Sequence, residues 1–558
     1  MDRTLPSGNM EGAMRIAVDA IDRTLAARHR QGLGPGLSLA LTTRDGLLAT
    51  RTYGVANADR DDPVTDRTLF QIGSITKQLT AAACLRLVEQ GRLDLAAPVT
   101  DTLAWFKVGS RYSTPITLHH LLTHTAGLVM MMDSYPSSWA QVWMLRETDL
   151  GFAPGTRFSY SNVGYNVLQC VIQTVTGLSF DAALRELVFA PLGMDETWGE
   201  IFWELYPRLA DGHKYASVDD HPVPRPEKQA VVNRYRVSQG CASVVTTATD
   251  LATFLRMLLS RGRADDGTAF LSDALFAEML CPHAPFEGFF EGTTQGYGVL
   301  VEQSDATGGH RRVIGGGENL GFEAIMYGDV EAGVGVVLFC NSFDVAWTEA
   351  RWSLDALVAA AEGRDLPSTP AFKPLFEERL GERANEYVGT YTSVARSFTV
   401  SEEDGHLRLS APSTSVLLKL LWGDSFICTA VGFDRGMLSF SRDEAGRVFE
   451  AVQLGDVYAR DAQPIADRAQ LPAAWNTYIG HYRSFGALVT NFRIFARRGQ
   501  LWCQMWSGYG EQPLTDLGGG RFRRGDDTSP ETYAFDWIAA GKALRCRASG
   551  CDFYRVDE

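Results

Sequence analysis

The sequence lacks the features by which several classes of protein are recognised. Its nine cysteines form no Cys-x-x-Cys pair, residues 1–20 have no apolar core of signal-peptide length, and no run of about 18 apolar residues occurs. Asp and Glu total 67 against 52 Lys and Arg, and the net charge of −15 argues against nucleic acid or an anionic membrane as a general partner. These absences predict a cytoplasmic protein with neither of those partners.

Patterns typical of metal sites are also missing. Three of the ten histidines, His119, His120 and His124, occur close together, but no carboxylate or further histidine lies at a ligand spacing from them. The scattered cysteines are typical of buried free thiols, although Cys546 and Cys551 are near enough in sequence to form a disulfide. The sequence therefore predicts no metal and no other cofactor.

The composition is that of an ordinary globular protein, with 558 residues, 45% hydrophobic and 21% charged, and the length predicts about two to four domains. Residues 1–362 combine an Asp-Gly hairpin at 36–57, several helical stretches, and two strand-like runs at 321–328 and 334–341. Strands at both ends of this region with helices between them predict an antiparallel sheet flanked by helices.

A weak repeat follows a charged, proline-containing linker at 363–380. Tyr387-Val-Gly-Thr-Tyr391 recurs as Tyr478-Ile-Gly-His-Tyr482, 91 residues later. Each unit contains short alternating strands separated by Gly and Asp turns, with little helical periodicity. The repeat predicts two small antiparallel β-barrel domains, at 381–463 and 464–558.

A pair of residues after position 70 has the chemistry of a nucleophile and its base. From Ser74 to Val88 the chain is almost free of charge, which predicts a buried helix that ends near Gly91. Ser74 and Lys77, three residues apart, share one helix face with their Cβ atoms about 5–6 Å apart. Burial disfavours the charged ammonium, and a neutral amine can activate a neighbouring hydroxyl. Alone, Ser-x-x-Lys also fits an N-capping serine followed by a solvated lysine.

Tyr160-Ser161-Asn162 can supply the third proton-carrying group that a Ser-Lys pair requires. A tyrosine near the lysine can share its proton, and the Asn162 amide can orient a substrate carbonyl or the amine. Taken alone, the three residues more often form a turn before a helix. Their occurrence together with Ser74 and Lys77 favours the catalytic interpretation.

Several further stretches match one superfamily in order and spacing between residues 36 and 345. They are FQIGSITKQLTAAACLRLVEQGRLDL, LHHLLTHTAGL, PGTRFSYSNVGY, FAPLGMDET, TTATDLATFLRML and a glycine-rich turn that enters Gly321-Phe322. In these the chain resembles the serine β-lactamase and penicillin-binding-protein superfamily, in its class C-like, D-aminopeptidase and esterase branch. The resemblance implies an α/β (α+β) β-lactamase-like domain with an antiparallel five-stranded sheet flanked by helices, and an acyl-enzyme mechanism.

The resemblance also implies roles for individual residues. Ser74 resembles the nucleophile, Lys77 the base that activates it, and Tyr160 the group that carries a proton to the leaving amine or from water. Asn162 resembles the last member of the second motif and is a predicted substrate-binding residue. The Ser74 backbone N–H, at the start of a helix, would be one oxyanion donor.

The third motif departs from the superfamily pattern of Lys or His, any residue, then Gly. Aligned on Gly321-Phe322, these places are Gly315-Gly316-Gly317, and only a shift would recruit His310. β-Lactamases and carboxypeptidases hold a substrate carboxylate with that cation, so its loss predicts weaker carboxylate recognition and a wider pocket. Gly317 and Glu318 are the predicted substrate-binding residues here.

Glu318 has two predicted roles in the site. Its N–H would be the second oxyanion donor, and its carboxylate would suit a substrate with a free amine. A solvated turn residue is an equally good interpretation of this glutamate.

The preferred function is therefore a serine hydrolase of the aminopeptidase or amidase type, which releases an N-terminal D-amino acid from amides or short peptides. The missing cation and the appended barrels, a layout similar to three-domain D-aminopeptidases, favour it. In those enzymes one barrel reaches into the active site, and Gly508-Tyr509-Gly510-Glu511 is the candidate loop here. The alternatives are an esterase, an acyltransferase or peptide cyclase with the same machinery, or a non-catalytic ligand-binding or sensor protein. The expected partner is a small-molecule or short-peptide substrate, and a homo-oligomer is left open.

Overall fold

The α-helices of the described part of the chain lie between residues 7 and 361. The structure, a computed structural model, describes residues 7–57, 59–130, 133–218, 221–231, 236–286, 292–303, 307–342, 346–371, 377–430, 432–434, 436–462, 470–486, 489–505 and 511–556. Its α-helices in this part of the chain are α1 (Ser7–Arg30), α2 (Thr76–Glu89), α3 (Val99–Thr102), α4 (Leu118–Leu122), α5 (Ser138–Met144), α6 (Asn162–Thr176), α7 (Phe180–Leu184), α8 (Ala190–Leu192), α9 (Ala248–Leu259), α10 (Asp273–Met279) and α11 (Trp347–Ala361). A short 3-10 helix, Gly73–Ile75, leads directly into α2.

The largest sheet is antiparallel, in the order β3-β2-β1-β14-β13-β12-β11-β10-β9. The strands of this part of the chain are β1 (Gly36–Thr43), β2 (Gly46–Asn57), β3 (Asp62–Pro63), β4 (Phe70–Gln71), β5 (Thr197–Trp198), β6 (His213–Val218), β7 (His221–Val231), β8 (Val245–Thr246), β9 (Ala284–Pro285), β10 (Thr293–Gln295), β11 (Leu300–Glu302), β12 (Arg312–Asn319), β13 (Phe322–Asp329) and β14 (Val334–Cys340). The predicted sheet flanked by helices is confirmed, but the predicted count of five strands is too low. The five long strands form its centre, and the four extra strands have two or three residues each, too few to show an alternating pattern.

Helices cover both faces of this sheet. On one face, α1 and α11 pack on β1, β13 and β14 in a core that includes Ile21, Leu39 and Leu357. On the other face α9 packs so closely that a Cβ added at Gly328 would lie 2.8 Å from Leu255 Cδ1. Small residues in the central strands therefore let this helix approach the sheet.

Helix α2 is buried, as the absence of a polar face predicts. Every side chain from Thr76 to Leu85 is buried. Its first turn is joined to β12, because Gln78 Nε2 donates a hydrogen bond to Ile314 O at 2.9 Å. The contact fixes the start of α2 beside the strand that the sequence predicts to face the nucleophile.

The chain divides into two compact units. One comprises Met1–His213 and Val231–Phe372, and the other comprises Lys214–Ala230 and Lys373–Glu558. The β6–β7 hairpin therefore groups with the second unit, which the sequence did not predict. Among the described residues no single helix is long and apolar enough to cross a bilayer, and one helix pair, Asn162–Thr176 with Phe180–Leu192, reaches that length and composition only across a 78° bend.

Two closed β-barrels follow, each with its strands in chain order around the barrel. The first contains β15 (Gly389–Thr392), β16 (Ser397–Glu403), β17 (His406–Ala411), β18 (Thr414–Trp422), β19 (Ser425–Ile427), β20 (Leu438–Arg442), β21 (Val448–Gln453) and β22 (Asp456–Arg460). The second contains β23 (Gly480–Arg483), β24 (Asn491–Arg497), β25 (Gln500–Met505), β26 (Glu511–Gly518), β27 (Arg521–Arg524), β28 (Thr532–Ala539), β29 (Lys542–Ala548) and β30 (Cys551–Val556). The two predicted barrels are confirmed, whereas positions 508–510 of the candidate loop lie outside the described residues.

The repeated tyrosines make the same hydrogen bond in both barrels. The Tyr391 hydroxyl donates to the carbonyl oxygen of Tyr387 at 2.8 Å, and the Tyr482 hydroxyl donates to that of Tyr478 at 2.8 Å. Tyr391 is paired with Arg460, and Tyr482 with Arg555, where the last strand closes each barrel on the first. The motif thus marks the seam of each barrel.

The glycine of the repeat makes room for an arginine at this seam. A Cβ added at Gly389 would lie 2.9 Å from Arg460 Nε, and Gly480 is covered in the same way by the Arg555 guanidinium. Both arginines donate to three main-chain carbonyls. The acceptors are Glu386, Val388 and Val448 for Arg460, and Thr477, Ile479 and Ala543 for Arg555. These bonds tie the start of each barrel to its end.

Candidate active site

Ser74, Lys77 and Tyr160 meet at the start of α2. Ser74 lies in the 3-10 helix, and Lys77 follows in the first turn of α2. The Ser74 Oγ accepts hydrogen bonds from Lys77 Nζ at 3.1 Å and from the Tyr160 hydroxyl at 2.8 Å. Ser74 and Tyr160 are partly exposed, whereas Lys77 is only 3% exposed. A substrate can therefore reach the hydroxyl while the amine behind it stays away from water.

The surroundings of Lys77 hold its amine against Ser74. Its Nζ also donates to the Cys241 carbonyl oxygen at 3.0 Å and lies 4.7 Å from the centre of the Tyr160 ring. Within the part of the chain that the structure describes, no carboxylate forms an ion pair with it. Lys77 is thus held beside the Ser74 hydroxyl without an ion pair to a described carboxylate, which suits a group that takes the Ser74 proton.

The start of α6 positions Tyr160 and Asn162. Ser161 is the N-cap, and its Oγ accepts from Gly164 N at 3.1 Å while it donates to Val129 O at 2.7 Å. Asn162, the first residue of the helix, donates through its main-chain N–H to Met130 O at 2.7 Å and is partly exposed. The cap thus fixes the two residues on either side of it.

Two glycines allow the main chain around Ser74 to approach β12. Gly73 has a φ of +48°, and a Cβ added there would lie 2.8 Å from Glu318 N. A Cβ added at Gly317 would lie 2.9 Å from Ser74 N and even closer to Ile72 O. The nitrogens of Ser74 and Glu318 are the predicted oxyanion donors. Both therefore lie where the main chain of residues 72–74 comes close to β12.

Gly315 stands where the superfamily has its cation, and two other side chains line this part of β12. A Cβ added at Gly315 would lie 2.8 Å from Gln78 Nε2, and one added at Gly316 would lie 2.6 Å from the Trp347 indole. The wider pocket predicted from Gly315 is thus wrong at this point, because the Gln78 amide occupies the space beside it. His310 is not recruited either, since its Nδ1 is hydrogen-bonded to Asp329 at 3.1 Å and the pairing with β13 contains no shift.

The Glu318 side chain lies on the other side of β12 from Gln78. Side chains alternate along a strand, and the register with β13 is unbroken, so Glu318 shares its side with Gly316. Its side chain is exposed. The main chain of Glu318, and not its carboxylate, is therefore the part that approaches the segment with Ser74, since a Cβ added at Gly73 would meet both the carbonyl oxygen and the nitrogen of Glu318.

The histidines that are neighbours in sequence make separate contacts. His119 Nδ1 is hydrogen-bonded to a tyrosine hydroxyl at 2.9 Å, and His124 Nδ1 accepts a main-chain N–H. A different trio, Glu278, Cys281 and His283, has one potential ligand atom each within 4.8 Å of the others. In it His283 Nε2 donates to the Glu278 carbonyl oxygen at 2.9 Å, and Glu278 is exposed. Among the described residues this trio is the group that could hold an ion, and it includes none of Ser74, Lys77 and Tyr160.

A known protein family matches the part of the chain that contains this site. The Beta-lactamase family matches residues 21–360, which is more than half of the chain. The chain belongs to this family. The group formed by Ser74, Lys77 and Tyr160 lies within the matched residues.

Relatives in this family have several activities. Penicillin-binding protein 4 of Amycolatopsis lactamdurans is 32% identical over 251 residues, 44% of this chain and 65% of that protein. Esterase EstB of Burkholderia gladioli is 35% identical over 190 residues, 30% of this chain and 47% of the esterase. The chain thus spans about half to two thirds of the length of these relatives. Among solved structures, D-amino acid amidase from Ochrobactrum anthropi SV3 complexed with D-phenylalanine has a TM-score of 0.51 at 25% identity, covering 63% of this chain and 99% of that chain.

Sequence reasoning missed three side chains that shape the site. Gln78 stands in the stretch that begins at Phe70, and His124 stands in LHHLLTHTAGL, both of which the resemblance includes. Gln78 was given no role, and His124 was considered only as a metal ligand. Trp347 lies in none of these stretches and reaches β12 only through the fold.

Proposed function

We propose that the chain is an amidohydrolase that releases an N-terminal D-amino acid from amides or short peptides through an acyl-enzyme on Ser74. The observation that carries the proposal is the Ser74 Oγ held between Lys77 Nζ and the Tyr160 hydroxyl. A nucleophile with a base on one side and a proton donor on the other has what acyl transfer to serine requires.

The proposed acylation follows from these contacts. Lys77, in its neutral form, accepts the Ser74 hydroxyl proton while Oγ bonds to the substrate carbonyl carbon. The negative charge that develops on the carbonyl oxygen is met by the N–H groups of Ser74 and Glu318. When the bond to the leaving amine breaks, Tyr160 gives that amine a proton. Water then takes the place of the amine, and the proton transfers run in the opposite direction.

The preference for a substrate with a free amine is supported by what stands opposite Ser74. β12 carries Gly315 and the neutral Gln78 amide where the superfamily has a cation. Among the described residues at this point of β12 a substrate carboxylate would find no ionic partner, which favours a substrate that carries no carboxylate there. The likeness to a D-amino acid amidase at 25% identity supports the same class of substrate.

An esterase with the same machinery is the second candidate. The 35% identity to Esterase EstB favours it, over a segment that includes only 30% of this chain. Both reactions proceed through an acyl-enzyme, and an acyltransferase or peptide cyclase would differ only in using an amine or alcohol in place of water. The substrate, and not the site, distinguishes these candidates.

A covalent probe tests whether Ser74 is a nucleophile at all. The protein is incubated with a fluorophosphonate, and the adduct is located by mass spectrometry after proteolysis. We expect one adduct, on Ser74, and none in Ser74→Ala. An unlabelled Ser74, together with full turnover by Ser74→Ala, would contradict every hydrolase interpretation and leave the ligand-binding or sensor alternative.

A substrate panel then separates the candidates. D- and L-amino acid amides, aryl esters and a penicillin are offered at equal concentration, with Ser74→Ala as the blank. We expect the D-amino acid amides to have the highest kcat/KM among these compounds. Aryl esters turned over without any amide would select the esterase, and rapid penicillin hydrolysis would show that Gly315 does not prevent carboxylate recognition.

We carry two further proposals from the sequence, a cytoplasmic location and self-association. Cell fractionation with an antibody checks the first, and light scattering of the purified protein over a range of concentrations checks the second. A mass equal to that of one chain at every concentration would contradict the homo-oligomer.

A further inference from the structure

His124 lies in the turn that follows α4, before α5, with a backbone conformation that few residues adopt. Its φ is +56°, in the left-handed region that favours glycine, and its side chain is 3% exposed. A non-glycine residue held in this conformation is strained, and the surrounding contacts must offset that strain. One of these contacts is the hydrogen bond from His124 N to Leu121 O at 3.3 Å, and the others include bonds to both neighbours of Tyr160.

Hydrogen bonds join His124 to both neighbours of Tyr160. The His124 carbonyl oxygen accepts from Ser159 N at 2.8 Å, and its ring Nδ1 accepts from Ser161 N at 3.0 Å. One residue therefore fixes the main chain immediately before and immediately after the tyrosine. Because Nδ1 is an acceptor here, the ring proton of the neutral imidazole is on Nε2.

The imidazole also packs against the phenol ring itself. The ring centres of His124 and Tyr160 are 4.4 Å apart with 31° between their planes, and Tyr165 packs on His124 at 5.0 Å. Tyr165 is anchored in turn, because its hydroxyl donates to Leu122 O at 2.8 Å. Burial, with a further contribution from the charge of Lys77, holds the pKa of His124 well below its usual value, so the ring is neutral at neutral pH.

We propose that His124 is a positioning residue that holds the Tyr160 hydroxyl at its distance from Ser74 Oγ. It acts through Tyr160 alone and touches neither substrate nor the reacting atoms. The proposal rests on Ser74 as the nucleophile and on Tyr160 as the donor to the leaving group, whichever acyl group the substrate carries. His124 would thus take part in protonation of the leaving group. A metal ligand, or a residue that only packs, would have no such effect.

The test compares two esters that give the same acyl-enzyme but differ in their leaving group. p-Nitrophenyl acetate releases a stabilised phenolate that needs little help from an acid, whereas phenyl acetate releases a phenolate that requires a proton. Their kcat/KM values report acylation, so the ratio of the two measures leaving-group protonation directly. Neither ester contains an amino acid, and the result is therefore independent of the proposed D-amino acid substrate.

We expect His124→Ala to lower kcat/KM for phenyl acetate about tenfold more than for p-nitrophenyl acetate, as Tyr160→Phe should do to a greater extent. In the double variant, His124→Ala should add less than about twofold to the loss from Tyr160→Phe, because two residues that act as one unit are not additive. His119→Ala, a histidine of the same segment whose ring contacts Tyr297 instead, is the matched control and should leave the ratio of the two esters unchanged.

An equal loss on both esters, or a full additive loss in the double variant, would overturn the proposal and leave His124 a packing residue. An unchanged ratio in a folded His124→Ala protein would overturn it as well. If His124→Ala fails to fold, His124→Asn carries the same comparison, because an amide oxygen can accept the Ser161 N–H while the ring contact with Tyr160 is lost. We then expect a change in the ester ratio in the same direction, about threefold in size, and an unchanged ratio would again count against the proposal.

Discussion

Replacing Gly317 by alanine should disable the site without any change in its catalytic side chains. A Cβ at this position would lie 1.9 Å from Ile72 O and 2.9 Å from Ser74 N. Both are main-chain atoms, so relief requires the segment that carries Ser74 and β12 to separate by roughly 1 Å. A displacement of this size at a catalytic group costs about 100-fold, or about 2.7 kcal/mol of transition-state stabilisation. The nitrogens of Ser74 and Glu318 would no longer converge on one oxygen.

The assay is kcat/KM for an aryl ester, together with the rate of fluorophosphonate labelling of Ser74 and the far-UV circular dichroism of each variant. Gly328→Ala is the matched control. Gly328 lies in β13, next to β12, and its added Cβ would meet the Leu255 side chain of α9 at 2.8 Å. We expect the control to lose stability but to keep its kcat/KM. A folded Gly317→Ala protein whose kcat/KM stays within about threefold of the parent would refute the reasoning from this close approach.

Three other outcomes follow from the structure. Tyr160→Phe removes the hydroxyl 2.8 Å from Ser74 Oγ, and kcat/KM should fall about 10²–10⁴-fold, more on amides than on aryl esters, with the fluorophosphonate adduct still formed. Burial raises the pKa of Glu511 from 4.5 to about 7, so the stability that its neutral form contributes is full below pH 4.5 and is lost as the pH rises through 7. The urea midpoint should fall over this range by an amount equivalent to about 3 kcal/mol, and by less in Glu511→Gln. Iodoacetamide at pH 8 should modify Cys281 first, because the other eight cysteines are buried; early modification of a second cysteine, seen by mass spectrometry, would contradict that burial.

The sequence was sufficient for features that depend on near neighbours in the chain. The uncharged run after Ser74 indicated a buried helix, and α2 is buried from Thr76 to Leu85. The Asp-Gly dipeptide placed the turn between β1 and β2. Spacings of three to five residues fix these elements, so each could be found without the rest of the fold.

The site was predictable only where a motif carried it. Ser74, Lys77 and Tyr160 stood in recognisable stretches, and the structure brings them within hydrogen-bond distance. The contact between Gln78 and Gly315 joins positions more than 200 residues apart, and it depends on how α2 sits on β12. The direction of the Glu318 side chain depends likewise on the strand register, since a slip of one residue reverses it. No pattern along the chain encodes such contacts, which is why the pocket beside Gly315 was predicted to be too wide.

The matching seams of the two barrels have a consequence for the history of the chain. Tyr391 and Tyr482, with Arg460 and Arg555, close their barrels through equivalent bonds. Such agreement in both sequence and contacts is what duplication of a single ancestral barrel leaves behind. The two barrels can therefore be compared with each other. Residues that both copies retain maintain the barrel, and residues that differ are those that each copy was free to adapt to a separate task.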